Sequence, residues 1–142
     1  MRSAYLEQNS GATAGVKKKV EKITVARTLT NDVSGKVFML DAAGGAYSIT
    51  LPTSLEDGVY YKFIVEEETP SNAITIAAGS AIVSLVMKDP GGNASNSTVG
   101  TQVSNIVVGT SAQKGDYIDL MAAGGEWVGE CLSGIDDAVT TS

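Results

Sequence analysis

The sequence predicts an all-β protein, an antiparallel jelly-roll-like sandwich or small barrel with an extended N-terminal arm. Small residues dominate: 16 glycines, 16 alanines and 27 serines or threonines stand against 8 aromatics in 142 residues, a composition suited to turn-rich β structure. Short runs alternate apolar and polar side chains at period 2, the mark of strands with one face on a core. No ten-residue segment combines helical periodicity with caps.

The elements follow in chain order. Residues 1–15 are polar and rich in Gly, Ala, Ser and Thr, with no apolar period to hold them folded, so 1–30 reads as an arm leading into a first strand near 22–29. Further strands are expected at 36–41, 46–51, 60–66, 73–78, 81–88, 102–109, 116–122 and 126–131. Tyr47, Ile49 and Leu51 share one face, as do Tyr61, Phe63 and Val65, and then Ile118 and Leu120. Gly44-Gly45 and Gly124-Gly125 supply the positive φ of tight hairpins, so each is expected to join adjacent antiparallel strands. Both lie in an internal echo, Ala-Ala-Gly-Gly after an apolar strand and before an aromatic, read as two hairpins solving one turn problem. Residues 89–98 form a long polar loop expected to project. The body then spans 31–134, and 135–142 is a polar C-terminal tail.

Composition narrows the chemistry. With no histidine and one cysteine, a Ser-His-Asp or Cys-His nucleophile, histidine-ligated zinc and an intrachain disulfide are all excluded. Cys131 reads as a small hydrophobe. Asp116 and Asp119, an odd number apart on a strand, point to opposite faces, the wrong geometry for an acid and base. Glu66-Glu67-Glu68 reads as a solvated strand end, and no acidic segment has the loop spacing of a calcium site. We therefore expect no catalytic residues, no metal, no cofactor and no enzymatic activity. The absence of long apolar runs argues against membrane partners, and the N-terminus lacks a signal-peptide pattern, so a product of the cytoplasm is expected.

Charge is segregated. Residues 1–30 carry six basic and two acidic groups, whereas residues 31–142 carry four basic and fourteen acidic. Lys17, Lys18, Lys19 and Lys22 could meet nucleic acid, but the arm offers only Tyr5 for stacking and the body is acidic. Docking of the basic segment on an acidic protein surface is the better reading.

Ser34-Gly-Lys-Val-Phe-Met-Leu-Asp-Ala-Ala-Gly-Gly-Ala-Tyr-Ser-Ile-Thr-Leu-Pro52, then Gly58–Val65, Ala73–Ile76, Gly115–Leu120 and Gly124–Gly129, resemble small β-rich structural proteins of tailed bacteriophages: capsid decoration (cement) or head-fibre proteins, with related modules in tail fibres. The likeness covers roughly 31–132. It implies a virion protein on the outer surface of the capsid, often a homotrimer, whose partner is the major capsid protein and which stabilises the shell. Arg2, Tyr5, Lys17, Lys18, Lys19 and Lys22 are then the expected capsid-binding residues of the arm. Phe38, Tyr47, Tyr61, Phe63, Tyr117 and Trp127 are expected as core or subunit-interface anchors. Residues 1 to about 25 are expected to be disordered in the free protein and ordered on the shell. The alternative is a tail-fibre or receptor-binding module.

Overall fold

Alternating strands bury one face each, and the simplest way to cover many such faces is to stack two sheets. The structure, a computed structural model, describes residues 17–90 and 99–142, with backbone alone for 99–102. It is an all-β sandwich. The strands are β1 (Val20–Ile23), β2 (Arg27–Thr28), β3 (Val37–Leu40), β4 (Tyr47–Thr50), β5 (Tyr60–Val65), β6 (Ile74–Ala77), β7 (Val83–Lys88), β8 (Val99–Val103), β9 (Asn105–Val108), β10 (Tyr117–Ala123), β11 (Glu126–Leu132) and β12 (Val139–Thr141). One sheet runs β1-β3-β5-β10-β11-β7-β8 and the other β12-β9-β6-β4-β2.

From β1 to β7 every strand crosses to the opposite sheet. Up to β6, a strand's neighbour in its own sheet is the next but one, and the two run parallel. β1 pairs with β3, β3 with β5, β2 with β4 and β4 with β6 in parallel. Antiparallel pairing begins with β8 on β7 and β9 on β6 and continues with β10 against β5 and β11, and the β10–β11 hairpin is inserted between β5 and β7. The expectation of an antiparallel arrangement throughout is thus corrected to a mixed one. Period 2 is the same in both kinds of pairing, so the alternation carried no information on this point.

The two glycine pairs separate here. Gly124 and Gly125 both have positive φ, 64° and 83°, as a two-residue type I′ hairpin requires, and they join β10 to β11. Gly44-Gly45 does not make a hairpin. It lies in the six-residue connection between β3 and β4 that carries the chain from one sheet to the other. The expected strand at 102–109 is likewise two strands in different sheets, β8 and β9, divided at Ser104. Most of the expected projecting loop, 91–98, lies outside the described residues.

Between the sheets, Phe38, Tyr61, Phe63 and Trp127 from one layer meet Ile49, Ile74, Ile76 and Ile106 from the other, all buried. Ring centroids lie 5.7 Å apart for Phe38–Phe63 and 5.5 Å for Tyr61–Trp127, within the range of favourable aromatic pairs. Tyr47 belongs to this core too, but Tyr117 does not: it is half-buried on the outer face of β10. The phase of the strand decides this, since Ile118, Leu120 and Ala122 take the inner positions.

The first and last described strands are tied down more than expected. β1 is a parallel edge strand on β3, with Ile23 buried, so the expectation of disorder is not met at Val20–Ile23; residues 1–16 lie outside the described residues. The hydroxyls of Tyr47 and Tyr61 donate to the Ile23 and Thr30 carbonyls, each at 2.7 Å, and burial pushes both phenols up to about 12. At the other end β12 pairs with β9, and Ala138 and Val139 are buried. Residues 135–142 are therefore not a free tail.

Candidate interaction face

Because Tyr61, Phe63 and Val65 point inward, Tyr60, Lys62 and Ile64 must face out, and the same phase rule applies along β10, β11 and β7. The register then builds three rows across the outer face of the seven-stranded sheet. They are Tyr60–Met121–Val128–Ser84, Lys62–Asp119–Glu130–Val86 and Ile64–Tyr117–Leu132–Lys88. Outer positions of a solvated sheet are normally polar, yet apolar side chains hold more than half of these. Of the seven large hydrophobics exposed among the described residues, Tyr60, Val86, Met121 and Leu132 lie here and Val20 on the same face of the edge strand β1. A groove of about 630 Å³ crosses the four strands, lined by Tyr60, Met121, Val128, Val86 and the side chains of the charged row, with Lys18 also in its lining.

The charged row is neutralised in place. Asp119 and Glu130 stand directly opposite each other, and each is answered from its far side, Asp119 by Lys62 at 3.9 Å and Glu130 by Lys88 at 3.0 Å. The Lys62 ammonium lies 4.3 Å from the centre of the Tyr117 ring, and the Tyr117 hydroxyl donates to Glu130 at 3.3 Å. Lys88 beside Glu130 holds that carboxyl below its ordinary value, and the pair raises Lys88 in turn. Desolvation, then the Glu130 charge, raises the Tyr117 phenol.

Of the residues expected to bind a partner, Arg2 and Tyr5 lie outside the described residues. Lys17, Lys18 and Lys19 are exposed on the approach to β1. Lys22 is engaged within the chain: its ammonium meets Asp41 at 2.7 Å and Glu66 at 3.1 Å, and it is withdrawn from the set free to meet a partner. The pair with Asp41 raises Lys22 and lowers Asp41. Glu21 is held by Arg27 and by Lys36, the latter at 3.0 Å, and Arg27 above all lowers its pKa. Basic and acidic segments do meet, but within one chain.

The remaining carboxylates take structural places. Asp116 and Asp119 face opposite ways, as their spacing predicts. Asp116 is buried and accepts from the Gln113 and Gly134 backbone N–H groups, each at 2.9 Å, and from the Ser133 hydroxyl at 3.0 Å. In the glutamate run, Glu66 binds Lys22 and Glu67 accepts the Ala42 N–H, leaving Glu68 exposed. Only the last fits the expected solvated strand end. The fold also brings carboxylate oxygens of Asp89, Asp136 and Asp137 within 4.8 Å of one another, a grouping invisible in the spacing.

Sequence reasoning overlooked the apolar outer positions Ile64, Met121, Val128 and Leu132. A signal was present: in a half-buried strand these are the sites that ought to be polar. Compared with known proteins, the chain matches no family model and no curated protein.

Proposed function

We propose that the chain is a structural binding module, a capsid decoration (cement) protein that attaches to the outside of a phage head and stabilises the shell. The outer face of the seven-stranded sheet carries this reading. It gathers most of the exposed large hydrophobics into one patch whose ion pairs are already satisfied, the make-up of a protein-binding surface rather than of a solvated one. Seven strands span about 29 Å and the longer strands about 20 Å, so the face offers roughly 600 Å² in projection, close to the ~800 Å² per partner of a stable interface. The resemblance of 34–52, 58–65, 73–76, 115–120 and 124–129 to phage head proteins supports the same class, and with it a homotrimer.

Such a protein acts by linkage: binding the assembled shell and not free subunits favours the assembled state, and repeated copies add by multivalency. The test is co-sedimentation with undecorated heads. Wild-type protein should pellet with them and raise their melting temperature, whereas the Met121→Glu variant, which places a charge at an exposed position of the face, should remain in the supernatant. Wild-type protein that never pellets would overturn the reading.

A further inference from the structure

The groove on the outer face is uneven in charge. Two of its three lysines are spent on Asp119 and Glu130 within the charged row. Lys18, the third, lines the groove without an ion pair among the described residues, and Lys17 and Lys19 are exposed on either side of it. A local excess of positive charge therefore borders the most apolar patch of a chain whose residues 31–142 carry four basic and fourteen acidic groups.

The geometry points to an extended acidic–apolar segment of the partner protein as the occupant of this groove. Its apolar side chains lie on Tyr60, Met121 and Val128, and a carboxylate faces Lys18. This rests on the reading of the chain as an attachment module and names the part of the partner that it grips. Four strands span about 14 Å, the length of about four extended residues. A basic segment would meet Lys18 at the rim, and a polyanion would meet Asp119 and Glu130 in the charged row. A second copy presenting the same face has its two carboxylates already engaged and would oppose lysine to lysine.

The test titrates isotope-labelled full-length protein with two synthetic peptides of roughly six residues, one alternating Glu and Leu, the other Lys and Leu. The acidic peptide should shift the amide resonances of Tyr60, Val86, Met121 and Val128 saturably. Replacing Lys18 by Ala should weaken it about threefold, as the loss of one exposed ion pair does. Met121→Glu, at a site 45 % exposed, should abolish the response while preserving the spectrum. No response, or an equal response to the basic peptide, overturns the proposal. Shifts at these residues on diluting the protein alone overturn it as well and assign the groove to a second copy. Co-sedimentation with heads is read separately: attachment without peptide binding refutes this inference alone, and loss of both refutes the attachment reading.

Discussion

Trp127 is the sharpest point at which to test the packing of the sandwich. It is fully buried, 5.5 Å from the Tyr61 ring, and its indole N–H has no hydrogen-bond partner among the described residues. Two substitutions separate these properties. Trp127→Ala removes the ring and leaves a cavity between the sheets, costing about 3–5 kcal/mol, a large part of the 5–15 kcal/mol typical of a domain. With an unfolding entropy near 2.1 cal/mol/K per residue, the 142 residues give about 0.3 kcal/mol/K, so Tm should fall by roughly 10–16 °C. Trp127→Phe loses about 1 kcal/mol of buried area but also removes an unsatisfied donor whose burial costs about 1–3 kcal/mol. The balance runs from about zero to about 2 kcal/mol in favour of phenylalanine, so Tm should stay level or rise by up to about 7 °C. Thermal melts followed by circular dichroism check both, since the only tryptophan is the residue changed. An alanine variant melting within about 3 °C of wild type would refute the core assignment. A phenylalanine variant as unstable as alanine would show that the indole N–H is satisfied after all.

Other consequences concern backbone, charge and thiol. At Gly129 an added Cβ would sit 1.7 Å from the Asp119 carbonyl oxygen, so Gly129→Ala must push β10 and β11 apart; we expect a loss of about 3 kcal/mol or more in denaturant unfolding. The pairs that hold β1 set a pH window. Glu21 and Asp41 have lowered pKa values, so their contribution is present above the ordinary 4.5 and 3.8 and is lost as pH falls through the folded values. Lys22 is raised, so its contribution is present below 10.5 and is lost as pH rises through its folded value. The protection factors of the Val37 and Asp41 amides, which donate to the Lys19 and Ile23 carbonyls, should fall outside that window and on Lys22→Ala, while the midpoint of global unfolding changes little on Lys22→Ala. Burial pushes the Cys131 thiol up to about 12, so a thiol reagent at neutral pH should modify it only after denaturation; rapid modification of native protein would contradict its place in the core.

Much of this architecture is visible in the sequence, and what is hidden has physical causes. Alternation located the strands from β3 to β7, together with β10 and β11, and correctly set Tyr61, Phe63, Ile118 and Leu120 facing inward. It could not say which sheet a strand joins, because a strand repeats at period 2 whether its neighbour is parallel or antiparallel. Connection length is a partial clue: two residues at Gly124-Gly125 close a hairpin and six between β3 and β4 change sheet, yet Ser104 alone carries the chain from β8 in one sheet to β9 in the other. Val139-Thr-Thr was too short to show a period, so β12 was missed. Alternation also hides the outer face, because it predicts a polar partner at every second position, a rule that Ile64, Met121 and Leu132 break. Lys22 was assigned to a partner because its acceptors, Asp41 and Glu66, are 19 and 44 residues away in the chain and only the fold brings them together.

Attachment to a protein shell through the outer face of the seven-stranded sheet can be seen by electron microscopy of heads assembled with and without the protein. Difference density is expected on the outside of the shell, with Tyr60, Met121 and Val128 turned toward the capsid subunits. Heads that show no difference density, or density with that face open to solvent and the five-stranded sheet against the shell, would contradict it.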